Sequence, residues 1–123
     1  FNEYIGWYDG LPDKCLEIEW QIDKEKPVII SEFGGGALQG FHGDKTVRWT
    51  EEFQEDWYIK TLKMLSKIKN LRGITPWVLA DFRSPRRNLS GIQDGWNRKG
   101  LIGSETGTKK KAFYVLKDFY NTK

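Results

Sequence analysis

Glu32 occupies an unusual place for a carboxylate. In the stretch KPVIISEFGGG it closes an apolar run, Val28 to Ile30, and is followed by one aromatic residue and three glycines. A run apolar at successive positions is the pattern of a parallel strand covered on both faces. An acid at the C-terminal tip of such a strand sits where open and closed α/β sheets gather their chemistry, and the glycines let a loop pass close beside it. Aromatic rings are the second chemical resource. Six Trp, five Tyr and seven Phe exceed what a small core requires. Packing accounts for most of them, while rings at strand ends, such as Tyr8 and Trp77, are free to meet a ligand. Flat rings of this kind stack on the apolar faces of pyranose sugars.

Other chemistries are poorly supplied. His42 and Cys15 are each the sole residue of their type, so neither a zinc site built on His and Cys nor an intrachain disulfide is expected. No metal or other cofactor is implied. The net charge is +3, and the basic residues are dispersed apart from SPRR and TKKKAF. Nucleic-acid binding needs a denser basic stripe interleaved with stacking aromatics. No signal peptide or membrane-spanning run is visible. The partner to expect is a carbohydrate, with neither nucleic acid nor membrane. At 123 residues the chain can hold one modest domain. Its opening residues, FNEYIGWY, look like core, so the chain reads as beginning inside a fold.

Several elements must position these residues. A strand is expected over Tyr4–Tyr8, then a turn at DGLPD. A helix over about Asp13–Lys24 follows, with Cys15, Ile18 and Ile22 on one face and Leu16 and Trp20 beside them. After the strand ending at Glu32 comes a glycine-rich loop to about Trp49. Thr50 followed by Glu51 and Glu52 is a helix start, a hydroxyl cap with acids in the first turn. That helix should run to about Lys69 and bury Phe53, Trp57, Met64 and Ile68, with Leu62 and Leu65 flanking. The stretch GITPWVLADF predicts a third strand from Gly73 to Asp81, made irregular by Pro76. A polar loop then leads to a helix over Lys109–Asn121, with Ala112, Val115, Leu116 and Phe119 facing inward. Three strand–helix units in succession make an α/β fold with parallel strands. Three units alone leave one face of their sheet bare, and a barrel of eight such units would cover it. On the site face the pattern places Tyr8, Glu32, Trp77 and Asp81. Unpaired sheet edges make self-association through them an expectation.

The residues resemble a known family. SEFGGGALQGFHGDKTVRWTEEFQ is similar to the nucleophile region of family 2 glycoside hydrolases, above all β-glucuronidases. These carry Ser/Thr-Glu-Tyr-Gly, then Gly-Phe-His or Gly-Leu-His, then Ser/Thr-Glu-Glu-Tyr-Gln. NEYIGWY resembles their strand six, PWVLADF their strand eight, and NRKG with KKKAFYVL their closing segment. The likeness runs in order along nearly the whole chain.

The resemblance implies a retaining mechanism on a (β/α)8 barrel, of which this chain would be the C-terminal part, strands six to eight with their helices. One glutamate attacks the anomeric carbon, and a second, about 5–5.5 Å away, protonates the leaving oxygen and later activates water. Glu32 matches the nucleophile. It must be ionised to attack, so donors from neighbouring elements are expected to stabilise its charge. Tyr4 matches the tyrosine beside the nucleophile and Trp77 the ring that floors the sugar, with a non-proline cis peptide implied between Trp77 and Val78. The Asn2–Glu3 pair imitates the family's acid/base motif, but it aligns with strand six, and alternation turns Tyr4 inward and Glu3 away. The acid/base glutamate is therefore expected outside this chain, which by itself would be inactive.

Substrate choice depends on Asn97 and Lys99. In β-glucuronidases an Asn-x-Lys here binds the sugar's C6 carboxylate, a charge-assisted contact that a neutral sugar cannot return. The sequence departs from the family at Gly35 and Gly36, at Val78 in place of Asn, and at the added Pro76. A β-galactosidase or other neutral-sugar β-glycosidase remains the alternative within the family. From another class, a non-catalytic carbohydrate-binding module would use the rings without the acid.

Overall fold

A computed structural model describes residues 1–122. Strand β1 (Asn2–Glu3) lies beside β2 (Val28–Phe33), which lies beside β3 (Leu71–Pro76), all parallel, in the order β1-β2-β3. Helix α1 (Glu51–Leu65) and helix α2 (Lys111–Asn121) pack on one another behind this sheet. A short antiparallel pair, β4 (Phe82–Arg83) and β5 (Trp96–Asn97), frames the long polar loop. The parallel α/β arrangement expected from the alternation of patterns is present. Among the described residues no helix is long and apolar enough to cross a membrane.

Helix α1 forms as its sequence dictates. Thr50 caps it, with Oγ1 accepting from the Phe53 N–H at 3.0 Å, and Glu51 and Glu52 meet the positive end of the helix dipole. Phe53, Trp57, Leu62, Met64 and Leu65 are buried on its inner stripe, and Ile68 just beyond it. The helix ends at Leu65, short of Lys69. Asn70 is already committed to the sheet there, its carbonyl accepting from the Val28 N–H at 2.9 Å. Helix α2 begins at Lys111, after Lys110, and buries Ala112 and Leu116, with Val115 and Phe119 partly covered.

Four expectations are corrected. The first strand ends at Glu3, because Gly6 takes φ 80° and the chain folds into a turn closed from the Gly6 N–H to the Asp9 carbonyl at 3.1 Å. The third strand lies earlier than Gly73–Asp81, over Leu71–Pro76, since proline has no N–H to continue a ladder. The helix expected over Asp13–Lys24 shrinks to a 3₁₀ turn, Pro12–Glu17, and the chain leaves it extended at Ile18 (φ −75°, ψ 129°). Beyond it Ile18, Trp20 and Ile22 alternate with exposed neighbours and pack on the core, a period of two rather than 3.6. Trp20 fixes this segment by donating its indole N–H to the Met64 carbonyl at 2.8 Å. Finally, β2 is covered on one face only. Val28 and Ile30 are buried against the helices while Ile29 is 57% exposed. The bare face is the one that carries the site.

Candidate active site

Strict alternation along β2 would put Glu32 on the side of Val28 and Ile30, toward the helices. The ladder prevents this. Ile30 pairs with Ile74 and Phe33 with Pro76, so β2 spends one more residue than β3 between these pairs. A bulge of this kind re-aims the side chains beyond it. The burial sequence records the change of phase: Val28, Ile30 and Phe33 are buried, while Ser31 is exposed and Glu32 half-buried at the open face.

There both carboxylate oxygens of Glu32 are held. Tyr4 donates its hydroxyl to Oε1 at 2.6 Å, and Asn2 donates Nδ2 to Oε2 at 2.8 Å. Asn2 is oriented in turn by Ser31, whose hydroxyl donates to Asn2 Oδ1 at 2.8 Å. Burial, and then the Glu32 carboxylate that accepts its proton, push the Tyr4 phenol upward, which keeps it a donor. Asn2 and Tyr4 reach the site because they alternate with Glu3 on β1 and the residue after it.

Glu3 itself points the other way and is 4% exposed. Its Oε1 accepts from the Ile5 N–H, and its Oε2 is buried without a partner. Burial, against that one hydrogen bond, pushes its carboxyl from 4.5 up to about 7. The native fold therefore binds this proton more tightly than the unfolded chain. The associated stability is complete below about pH 4.5 and is lost as pH rises through about 7, a difference of about 3 kcal/mol. Glu3→Gln is expected to remove this pH dependence. Urea unfolding at pH 5 and pH 8 should then show a smaller stability loss across that interval in the variant than in the parent.

The glycines after Glu32 have a steric explanation. A Cβ on Gly34 would stand 2.0 Å from the Trp77 carbonyl oxygen, and one on Gly36 would stand 2.7 Å from the Trp49 ring. Gly34 thus lets the loop behind Glu32 lie directly against the backbone of Trp77. The Trp77–Val78 peptide is cis, as the resemblance implied. The Trp77 ring meets Phe82 edge-on, with centroids 5.8 Å apart.

Asn97 and Lys99 are buried at the inner wall, 5% and 6% exposed. Asn97 accepts its neighbour's Lys99 N–H through Oδ1 at 3.0 Å. That leaves the amide Nδ2 as the group it can offer a ligand, and Nδ2 is a donor. Lys99 donates Nζ to the Tyr8 hydroxyl and lies 4.2 Å from the centre of the Tyr8 ring and 4.9 Å from that of Tyr4. Burial lowers its ammonium pKa, opposed by the Tyr8 contact. Two donors lining one cleft suit a carboxylate.

Tyr4, Tyr8, Glu32, Trp77, Asn97 and Lys99 line one cleft of about 580 Å³. The six residues that the resemblance and the ring positions assign to a sugar site therefore share one cleft. Phe82, Ser84, Arg86 and Arg87 complete the lining. The two arginines belong to the basic SPRR stretch, which sequence alone leaves equally readable as a solvated loop. In the sequence Asn2 reads only as part of an acid/base look-alike, although the alternation that turns Glu3 away also turns Asn2 inward. Asp81 does not join the site. It is buried and bound to Lys110 Nζ at 2.8 Å and to the Gly100 N–H at 2.8 Å. It follows the irregular tip of the third strand, where alternation no longer holds.

No family model matches the chain. Among curated proteins it is similar to a β-glucuronidase of Streptococcus agalactiae serotype V, 33% identical over 138 residues that take in 99% of this chain and 22% of that protein. Among solved structures it superposes on a Faecalibacterium prausnitzii β-glucuronidase with a TM-score of 0.80 and 28% identity, over 98% of this chain and 21% of that one. A GH2 β-galacturonidase from Eisenbergiella tayi bound to galacturonate gives a TM-score of 0.79 and 29% identity, over 99% of this chain and 23% of that one. The chain spans about 20% of the length of the curated relatives it matches. Over nearly its whole length, this chain is similar to β-glucuronidases and to a GH2 β-galacturonidase.

Proposed function

We propose that this chain supplies the nucleophile end of a retaining exo-β-glycosidase that removes terminal β-D-glucuronides. We further propose that it forms strands six to eight, with their helices, of a (β/α)8 catalytic barrel. The observation that carries the reading is the double-held Glu32 carboxylate, which shares a cleft with the Asn97–Lys99 donor pair. Parallel strands, a site at their C-terminal ends and a bare sheet face all suit a segment of a closed barrel.

In this reading Glu32 attacks the anomeric carbon as the glycosidic bond breaks, forming a glycosyl ester. A second carboxyl group gives its proton to the departing oxygen, then takes one from the water that hydrolyses the ester. Among the described residues lining the cleft Glu32 is the only acid, so this partner is assigned to a part of the enzyme outside the chain, and the chain alone would be inert. Asn2 and Tyr4 hold Glu32 in one orientation for attack and stabilise it again as leaving carboxylate. Trp77 offers its half-exposed ring as the floor for the sugar.

The test is a 2-deoxy-2-fluoro-β-glucuronide on the complete enzyme, followed by mass spectrometry. A glycosyl adduct on the peptide holding Glu32 is the expected result, and an adduct elsewhere or none overturns the assignment. An uncharged fluorogalactoside run in parallel decides between the two sugars. A purely sugar-binding module would need neither donor on Glu32 and would form no adduct.

The substrate reading yields its own prediction. Asn97→Ala and Lys99→Ala should each lower kcat/KM on glucuronides by about 10- to 100-fold, the worth of a hydrogen bond to a charged group. Aryl galactosides, which lack the carboxylate, should lose much less. Equal losses on both sugars would reject the carboxylate clamp.

A further inference from the structure

The cleft carries more positive charge than a single uronic acid can match. Lys99, Arg86 and Arg87 line it against one carboxylate, Glu32. A sugar bearing one carboxylate would leave one cation unmatched. Most other arginines of the chain have evident structural partners. Arg48 stacks 3.9 Å over Trp7, Arg83 lies over Trp96, and Arg98 is buried near Asp81. Arg86 and Arg87 differ. Among the described residues their side chains make no hydrogen bond, ion pair or ring contact, and Arg87 lies near enough to Lys99 to repel it.

Their backbone, by contrast, is held. Ser84–Pro85–Arg86–Arg87 is a turn with proline at its second position, closed from the Arg87 N–H to the Ser84 carbonyl at 2.9 Å. Its two ends are tied to Gly95: the Ser84 N–H donates to the Gly95 carbonyl at 2.8 Å, and the Gly95 N–H to the Arg87 carbonyl at 2.7 Å. A preorganised turn thus presents two cations without protein partners to the cleft. Position separates them from the clamp. Asn97 and Lys99 lie buried at the inner wall, whereas Arg86 is exposed and Arg87 half-buried at the rim. In an exo-acting enzyme the terminal sugar fills the inner end and the leaving group projects toward the rim.

We propose that this turn is a second anion subsite, on the leaving-group side, and that the substrates are glycosides whose aglycone carries its own carboxylate or sulfate. The proposal rests on the glycosidase reading above and adds the class of leaving group. The rim cations pair with the aglycone anion while the Asn97–Lys99 pair keeps the sugar carboxylate.

The experiment compares 3-carboxyphenyl, 3-sulfophenyl and 3-carbamoylphenyl β-glucuronides, with the corresponding galactosides, on the complete enzyme. The measure is the ratio of kcat/KM for each anionic aglycone to that for the neutral amide. The parent is expected to favour an anionic aglycone by about tenfold at low salt, and the preference should fade as ionic strength rises. Arg86→Ala with Arg87→Ala should bring the ratio near one, and Arg86→Glu with Arg87→Glu should invert it. Preference for either anion alone or for both supports the subsite and names its partner. A parental ratio near one, or a ratio unchanged in the double variants, overturns it. Because the ratio is read on whichever sugar turns over, cleavage of galactosides alone would sink the glucuronide reading while still deciding the subsite. Turnover of neither sugar would remove both.

Discussion

In the complete enzyme, Glu32→Gln is expected to abolish turnover by several orders of magnitude while leaving substrate binding nearly unchanged. The amide is isosteric and can still accept from Tyr4 through its carbonyl oxygen, but it cannot form the glycosyl ester. Its NH₂ would also face Asn2 Nδ2, which now donates to Oε2 at 2.8 Å. A flip of the Asn2 amide relieves this, since the Ser31 hydroxyl that now donates to Oδ1 can instead accept from Nδ2. The loss should therefore fall on kcat, with KM little changed. Steady-state rates combined with calorimetric binding of a non-hydrolysed glucuronide check both halves. A variant that kept a tenth of parental activity would move the nucleophile to another residue.

The second large effect concerns Lys110, which touches no part of the cleft. Its side chain is 0% exposed, and Nζ donates to Asp81 Oδ1 at 2.8 Å, the Ala37 carbonyl at 2.7 Å and the Arg98 carbonyl at 3.1 Å. Burial pushes the Asp81 carboxyl up even with Lys110 beside it, and burial pushes the Lys110 ammonium down. Each charge is costly without the other. Lys110→Met should therefore destabilise by about 3–5 kcal/mol, the penalty of leaving one buried charge without its partner. Lys110→Met with Asp81→Asn should recover part of that loss, since asparagine is neutral and still accepts from the Gly100 N–H. Ala37 follows the glycines behind Glu32, and Arg98 lies between Asn97 and Lys99. Hydrogen exchange should accordingly rise first in those two loops, and KM for glucuronides should rise with it. A Lys110→Met enzyme with unchanged exchange there would show that the cluster holds nothing in place.

Legibility differed between these features for physical reasons. Helix α1 could be read because its buried residues repeat with the helical period and its cap is a local hydroxyl. Glu32 could be located because a strand, an acid and glycines stand together in sequence. Ile18, Trp20 and Ile22 fit a helix loosely and an extended segment well. The alternation was present in the sequence, but nothing local showed which element they would lie against. Lys110 offered no signal at all. Among three consecutive lysines it looks solvated, and its burial depends on acceptors contributed by residues far away in the chain. The bulge in β2 is equally silent, since any residue can be the extra one.

That bulge also makes the site sensitive to counting. Add one residue to β3 between Ile74 and Pro76 and this part of the ladder would pair residue for residue, with strict alternation turning the acid toward the helices. The strand would be more regular and the cleft would lose the one acid among its described lining residues. Whether this carboxylate faces the cleft is a matter of odd or even. An insertion that passes as harmless by the measure of hydrophobicity would be, in effect, a frameshift of the sheet.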